Sequence, residues 1–119
     1  MDCDSFYKKL MRIESIRYSV ILSSTGEKIC GGFQKSVVPI LNDEEIKMMH
    51  FYAVQRWSTR KNVEHKLGTT KYAMAEYEKL KRISFPVDEK HLLMITVDTN
   101  TDHKKIIDDV LELIKELHV

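Results

Sequence analysis

The chain has little of what small secreted scaffolds and flexible linkers are made from: two cysteines, four glycines and two prolines in 119 residues. Cys3 and Cys30 stand far apart and form no CxxC, which excludes a disulfide-dense framework and a closely spaced redox or zinc motif. Such sparse usage predicts reduced thiols that serve as packing groups rather than a bridge. The few glycines and prolines are scattered, so no linker, low-complexity tract or internal repeat stands out. Charge of one sign is also missing. Nineteen basic and eighteen acidic side chains leave a formal net charge of +1, which argues against general nucleic-acid binding but leaves room for a local basic patch. Long apolar runs are absent too. Residues 92–97 make one of the longest, far short of the ~20 needed to span a bilayer, and no charged, apolar and small-residue succession reads as a secretory signal. The expectation is a soluble, cytoplasmic protein without a membrane segment.

What is present fits one globular domain over residues 1–119. The composition is 43% hydrophobic and 31% charged. A chain of this length buries roughly two-thirds of its unfolded surface. Residues 3–14 read as a helix, with Cys3, Phe6, Leu10 and Ile13 sharing a face. Residues 17–23 and 28–33 read as a hairpin around Thr25-Gly26, and Gly31-Gly32 suggests a bulge or a close backbone approach. A connector with Pro39 follows. Asn42 and Glu45 then make a capping-box start for a long helix predicted over 43–66 and stopped by Gly68. Residues 69–77 and 79–87 read as a second hairpin. Leu80, Ile83 and Phe85 in its return strand do not keep one parity, which predicts a twist or bulge between Leu80 and Ile83. Residues 91–98 form a strand apolar on both faces. A polar break then leads into a helix carrying Ile106, Ile107, Val110, Leu113, Ile114 and Leu117. The order αββαβββα predicts an α+β fold, a five-stranded antiparallel sheet with helices on its faces.

The long helix carries apolar residues on two sides. Ile46, Met49, Ala53 and Trp57 make one stripe, with His50 and Val54 at its margin; Met48, Phe51 and Tyr52 fall roughly opposite. A helix covering one sheet needs a single apolar face. The second face is read either as a homodimer surface or as a patch under the first helix or the connector of the same subunit.

Candidate chemistry is thin. Five histidines (His50, His65, His91, His103 and His118) show no metal-ligand spacing, and His50 beside Trp57 reads as a hydrogen-bonded structural residue. Residues 43–45 are acids at a helix start, where they complement the macrodipole. Gly31-Gly32 leads into a connector rather than a helix, so phosphate-loop and dinucleotide patterns fail. No nucleophile–base or acid–base set appears, and neither an enzyme, a metal nor a cofactor is predicted. The basic residues Arg56, Arg60 and Lys61 on the helix, with Lys79, Lys81 and Arg82 on the hairpin, read either as a solvated face balanced by Glu64, Glu76 and Glu78 or as a dock for an acidic partner.

The element order and the motifs Ile16-Arg17-Tyr18, Gly26, Gly31-Gly32, Leu41-Asn42-Asp43-Glu44-Glu45, Thr59-Arg60-Lys61, Leu67-Gly68, Tyr77-Glu78-Lys79-Leu80-Lys81-Arg82, Pro86, Leu92-Leu93 and Asp102-His103 carry a resemblance over nearly the full length. The chain resembles a family of small proteins from ammonia-oxidising and related archaea for which no activity is established. Its element order is that of the roadblock/LC7 branch of the profilin-like folds. The roadblock likeness implies homodimers or heterodimers in which long helices pair and strands join one sheet. It further implies scaffolding of motor complexes or regulation of small GTPases, without chemistry. The expected self-association residues are Met48, Phe51, Tyr52 and Gln55 on the helix and Lys71, Ala73, Ala75 and Tyr77 on the pairing strand. Arg60, Lys61, Lys81 and Arg82 are expected to meet another protein, a small GTPase among the candidates. The alternative is a small-molecule sensor, with Tyr18, Met74 or Phe85 lining its pocket.

Overall fold

The computed structural model describes residues 2–117, so His118, considered above as a ligand, lies outside the described residues. Helix α1 (Cys3–Met11) is capped by Asp2, whose carboxylate accepts from the Ser5 amide at 3.2 Å. Strands β1 (Ile16–Ser23) and β2 (Lys28–Phe33) follow, then α2 (Asp43–Lys61). The Asn42 side chain accepts from the Glu45 amide at 2.8 Å and the Glu45 carboxylate from the Asn42 amide at 2.9 Å, closing the capping box read from the sequence. A short helix α3 (Glu64–Leu67), strands β3 (Ala73–Glu76), β4 (Leu80–Pro86) and β5 (His91–Asp98), and helix α4 (His103–Leu117) complete the chain.

The strands form one antiparallel sheet in the order β2-β1-β5-β4-β3, with β5 at the centre and β2 and β3 at the edges. On one face, Ile21, Ile83, Phe85, Leu93, Ile95 and Val97 pack against Phe6 and Leu10 of α1 and the apolar stripe of α4. On the other, Tyr18, Val20, Leu22, Leu92 and Met94 lie beneath Ala53 and Trp57 of α2, with Ile46, Met49 and Val54 at the margin. The strand that reads apolar throughout is therefore the one covered on both sides. The α2 stripe meets the sheet as its spacing requires.

Three local expectations are corrected, and the two alternatives for Gly31 are resolved in favour of a close approach. Pairing of β4 with both neighbours runs without a register shift, so no bulge separates Leu80 from Ile83. Leu80 instead shares the α2 face with Arg82 and Ser84, while Ile83 and Phe85 face α1 and α4. The bulge in the first hairpin falls between Ile21/Leu22 and Cys30/Lys28, leaving Ile29 extra, whereas Gly31 marks a close approach. At φ 139°, a Cβ on Gly31 would lie 2.2 Å from the Ser19 carbonyl oxygen. Helix α2 ends at Lys61 rather than Lys66, because Asn62-Val63 breaks it before α3; Gly68, at φ 88°, stops α3. Finally, Cys3 and Cys30 are not free thiols. They form a disulfide with Cα atoms 6.2 Å apart, because the first turn of α1 lies over β2, a proximity that spacing along the chain does not reveal.

Candidate interaction surface on the long helix and the sheet edge

Helix α2 crosses its side of the sheet with one flank toward the β3–β4 hairpin, and the N-terminal half of that flank leaves an open cavity. Its volume is about 600 Å³. The helix supplies Glu45, Ile46, Met48, Met49 and Tyr52 to the wall, the connector Ile40 and Leu41, and the hairpin Tyr77, Leu80 and Arg82, while Tyr18, Phe33 and Thr96 form part of the floor. The lining surface is mostly apolar, with Arg17, Glu45, Glu78, Lys79 and Arg82 among its residues, and three of its largest side chains stay half in water: Met48 is 56% exposed, Tyr52 45% and Tyr77 50%. Beside the cavity, β3 is an edge strand of four residues whose outer backbone side has no strand neighbour among the described residues.

The expected self-association residues separate accordingly. Met48, Tyr52 and Tyr77 come together around the cavity. Ala73 and Ala75 lie on β3, opposite Ser84 and Arg82 in register. Phe51 is exposed and meets the edge of Tyr52, with ring centroids 5.6 Å apart, on the side of α2 where the Gly26 turn approaches. The connector residues Ile40 and Leu41 stand instead beside Met48 and Tyr52 at the cavity. Gln55 is exposed on the outer side, and Lys71 precedes β3, which is shorter than the strand read over 69–77.

The basic residues divide more sharply. Arg60 and Arg82 lie together in a second, smaller cleft of about 210 Å³, where α2 faces β3 and β4. Arg56 joins them there. The Arg82 guanidinium sits over the Tyr77 ring at 5.9 Å and that of Arg60 over Trp57 at 6.0 Å. Burial holds Arg82 below the usual guanidinium pKa; the Tyr77 hydroxyl opposes this, and the charges of Arg56 and Arg60 add to it. Lys61 is elsewhere, its Nζ donating to the Glu89 carbonyl at 3.4 Å in the β4–β5 turn. Lys81 also stands apart from the arginines. It is only 7% exposed, faces α4, and donates to the Thr101 carbonyl at 2.9 Å and to His103 Nδ1 at 3.0 Å. Strand parity puts it on the opposite side of the sheet from Arg82.

Other residues weighed in the sequence take structural places. His50 is buried, its Nε2 2.9 Å from the Tyr18 hydroxyl. Burial, then the Lys28 charge, lowers the histidine pKa, while burial, then the Tyr7 charge, pushes the tyrosine up to about 12. His91 pairs with Asp88 at 2.9 Å. Of the three residues suggested for a sensor pocket, Tyr18 reaches the 600 Å³ cavity, Met74 lines the arginine cleft and Phe85 is buried in the core on the other face. They share no pocket. Among the described residues no group of three or more His, Cys, Asp or Glu side chains could hold a metal ion, and no helix is long and apolar enough to cross a membrane. Leu80 as a lining residue escaped the sequence reading, since an apolar residue off-parity in a strand gives no sign of what it lines.

The fold is shared with solved structures at low identity. The Roadblock/LC7 domain from Streptomyces avermitilis matches with TM-score 0.76 and 14% identity, over 99% of this chain and 96% of that one. Myxococcus xanthus MglB matches with TM-score 0.72 and 10% identity, over 99% and 98%. An MglB structure with a tetrameric arrangement matches with TM-score 0.69 and 11% identity, over 95% and 88%. These likenesses establish the roadblock/LC7 fold that the element order predicts. No curated protein matches the sequence. A described protein family does match, and over residues 2–118, nearly the whole chain: the protein belongs to the Family of unknown function (DUF6659).

Proposed function

We propose that the chain is a non-enzymatic cytoplasmic interaction module. It pairs with a second copy along the β3 edge and the adjoining flank of α2, and it presents Arg60 and Arg82 to another protein. One observation carries the reading: an unpaired edge strand lies beside an apolar cavity whose rim residues Met48, Tyr52 and Tyr77 are half exposed. Edge strands with free backbone groups pair readily, and Met with Tyr is the composition of an interface core. The tetrameric arrangement of one MglB structure belongs to that protein, and it is consistent with a fold that presents such surfaces. The roadblock resemblance suggests a small GTPase as the external partner. Capture from native cells is then expected to enrich a phosphate-loop protein.

Light scattering coupled to size exclusion tests the pairing. A mass near twice the 14.0 kDa chain is expected, and Tyr52→Glu should halve it while leaving the circular dichroism spectrum unchanged, because an unpaired charge at an interface core is costly. A native chain that stays at one subunit's mass across concentrations sinks the homodimer. A second reading has its own support. The 600 Å³ cavity falls within the ~300–1,000 Å³ of small-molecule sites and is mostly apolar. A metabolite that raises the melting temperature, with the effect abolished by Leu80→Trp, would favour a sensor.

A further inference from the structure

We propose that the cleft between α2 and the β3–β4 hairpin is a binding site for a multivalent oxyanion of the phosphate type, held by Arg56, Arg60 and Arg82. The argument begins with small side chains. Ala53 on the helix and Ala73 and Ala75 on the edge strand leave a recess of about 210 Å³ where larger residues would close helix onto sheet. Arg56 and Arg60, one helical turn apart, stand on one wall, and Arg82 rises from the other. Three arginines therefore line one small recess, close enough for the charges of Arg56 and Arg60 to act on Arg82. Among the described residues no carboxylate forms an ion pair with any of them. The neighbouring acid on the edge strand, Glu76, lies at a register position opposite Lys81, on the other side of the sheet.

Like charges gathered in a half-buried recess repel one another, and a bound anion removes that cost. Each guanidinium offers five N–H donors in a planar fork matched to phosphate or carboxylate oxygens. A lone carboxylate brings one negative charge to three positive ones. A phosphate or pyrophosphate group brings more charge and more acceptors in a volume that the recess can hold. Tyr77 and Arg82 are also part of the apolar cavity described above, so the anion site opens directly beside it. The proposal shares Arg60 and Arg82 with the partner surface but does not depend on dimerisation, because all three arginines belong to one subunit.

The test is calorimetric titration of the full chain with inorganic pyrophosphate at constant ionic strength, with citrate as a polycarboxylate comparator. Light scattering in the same buffer reads the oligomeric state separately. Saturable binding of one pyrophosphate per chain is expected, tighter than citrate. Arg56→Gln and Arg60→Gln should each weaken it about tenfold or more, the loss of a charge-assisted contact. Lys105→Gln, on α4 across the sheet, should leave it unchanged. Arg56 is exposed, so its replacement leaves the fold intact and keeps the test decisive even where Arg82→Gln does not fold. Binding that never saturates, or that survives the Arg56→Gln/Arg60→Gln double variant, overturns the site. Citrate binding as tightly as pyrophosphate overturns the phosphate assignment and points to the carboxylates of a protein partner.

Discussion

Tyr18 and His50 meet through a 2.9 Å hydrogen bond in the layer between α2 and the sheet, and the bond satisfies two polar groups that the core would otherwise penalise. The pairing has a pH signature at each end of the scale. His50 is held below the ordinary histidine value of 6.5, chiefly by burial, so the unfolded chain takes up that proton more readily than the folded one. Its contribution is therefore fully present above 6.5 and is lost as pH falls from there through the lowered folded value. Tyr18 behaves in the opposite sense. Its pKa rises from 10.0 to about 12, so its contribution is complete below pH 10 and disappears as pH climbs toward 12. Urea midpoints measured across pH should fall at both ends, and His50→Gln should flatten the acid limb that begins at 6.5. An NMR titration in which His50 protonates at or above 6.5 in the folded protein would contradict this account.

At the scale of elements, legibility followed periodicity. The limits of β5 and β2 and the start of α2 could be read closely, because apolar runs, turn glycines and the Asn42–Glu45 box are local signals. The α2 stripe was legible for the same reason: Ala53 and Trp57 recur at helical spacing and are buried together. Two facts were hidden because they depend on which face another element covers. Leu80 broke parity with Ile83 and Phe85 not through a bulge but because it serves the other side of the sheet. Lys81 looked like part of a basic cluster, yet its neighbour in the strand, Arg82, points away from it. Its ammonium ties β4 to the loop before α4 through Thr101 and His103. Lys81→Met should consequently lower unfolding free energy by about 1–2 kcal/mol, the net loss of two buried hydrogen bonds partly offset by relief of a desolvated charge. It should leave oligomeric mass and partner capture untouched. A Lys81→Met protein of unchanged stability that no longer captured its partner would make Lys81 a docking residue after all.

Across the whole molecule the two edges of the sheet are treated differently, and the proposed pairing rests on that asymmetry. The β2 edge is fastened. Cys30 in that strand is bonded to Cys3 in α1, and the Tyr7 hydroxyl stands near Gly32, 3.1 Å from where a Cβ would be. Among the described residues no bridge of that kind ties down the β3 edge, and the cavity and the arginine cleft open beside it. Closing a loop across 27 residues removes chain entropy from the unfolded state worth roughly 3.5 kcal/mol, if the whole effect is entropic. Reduction with dithiothreitol, or Cys3→Ser, should therefore lower the urea midpoint, and the unfolding free energy obtained from midpoint and slope should fall by an amount that approaches this figure. Because α1 and β2 are remote from β3 in the sheet order, the oligomeric mass should stay the same in the reduced protein. In a reducing compartment the pair reverts to thiols packed against the core beneath α1, and Phe6, Leu10 and Met11 still hold the helix there. A midpoint indifferent to reduction would mean that the bridge contributes nothing to holding α1. A mass that fell with the midpoint would place the assembly surface at the β2 edge instead of β3.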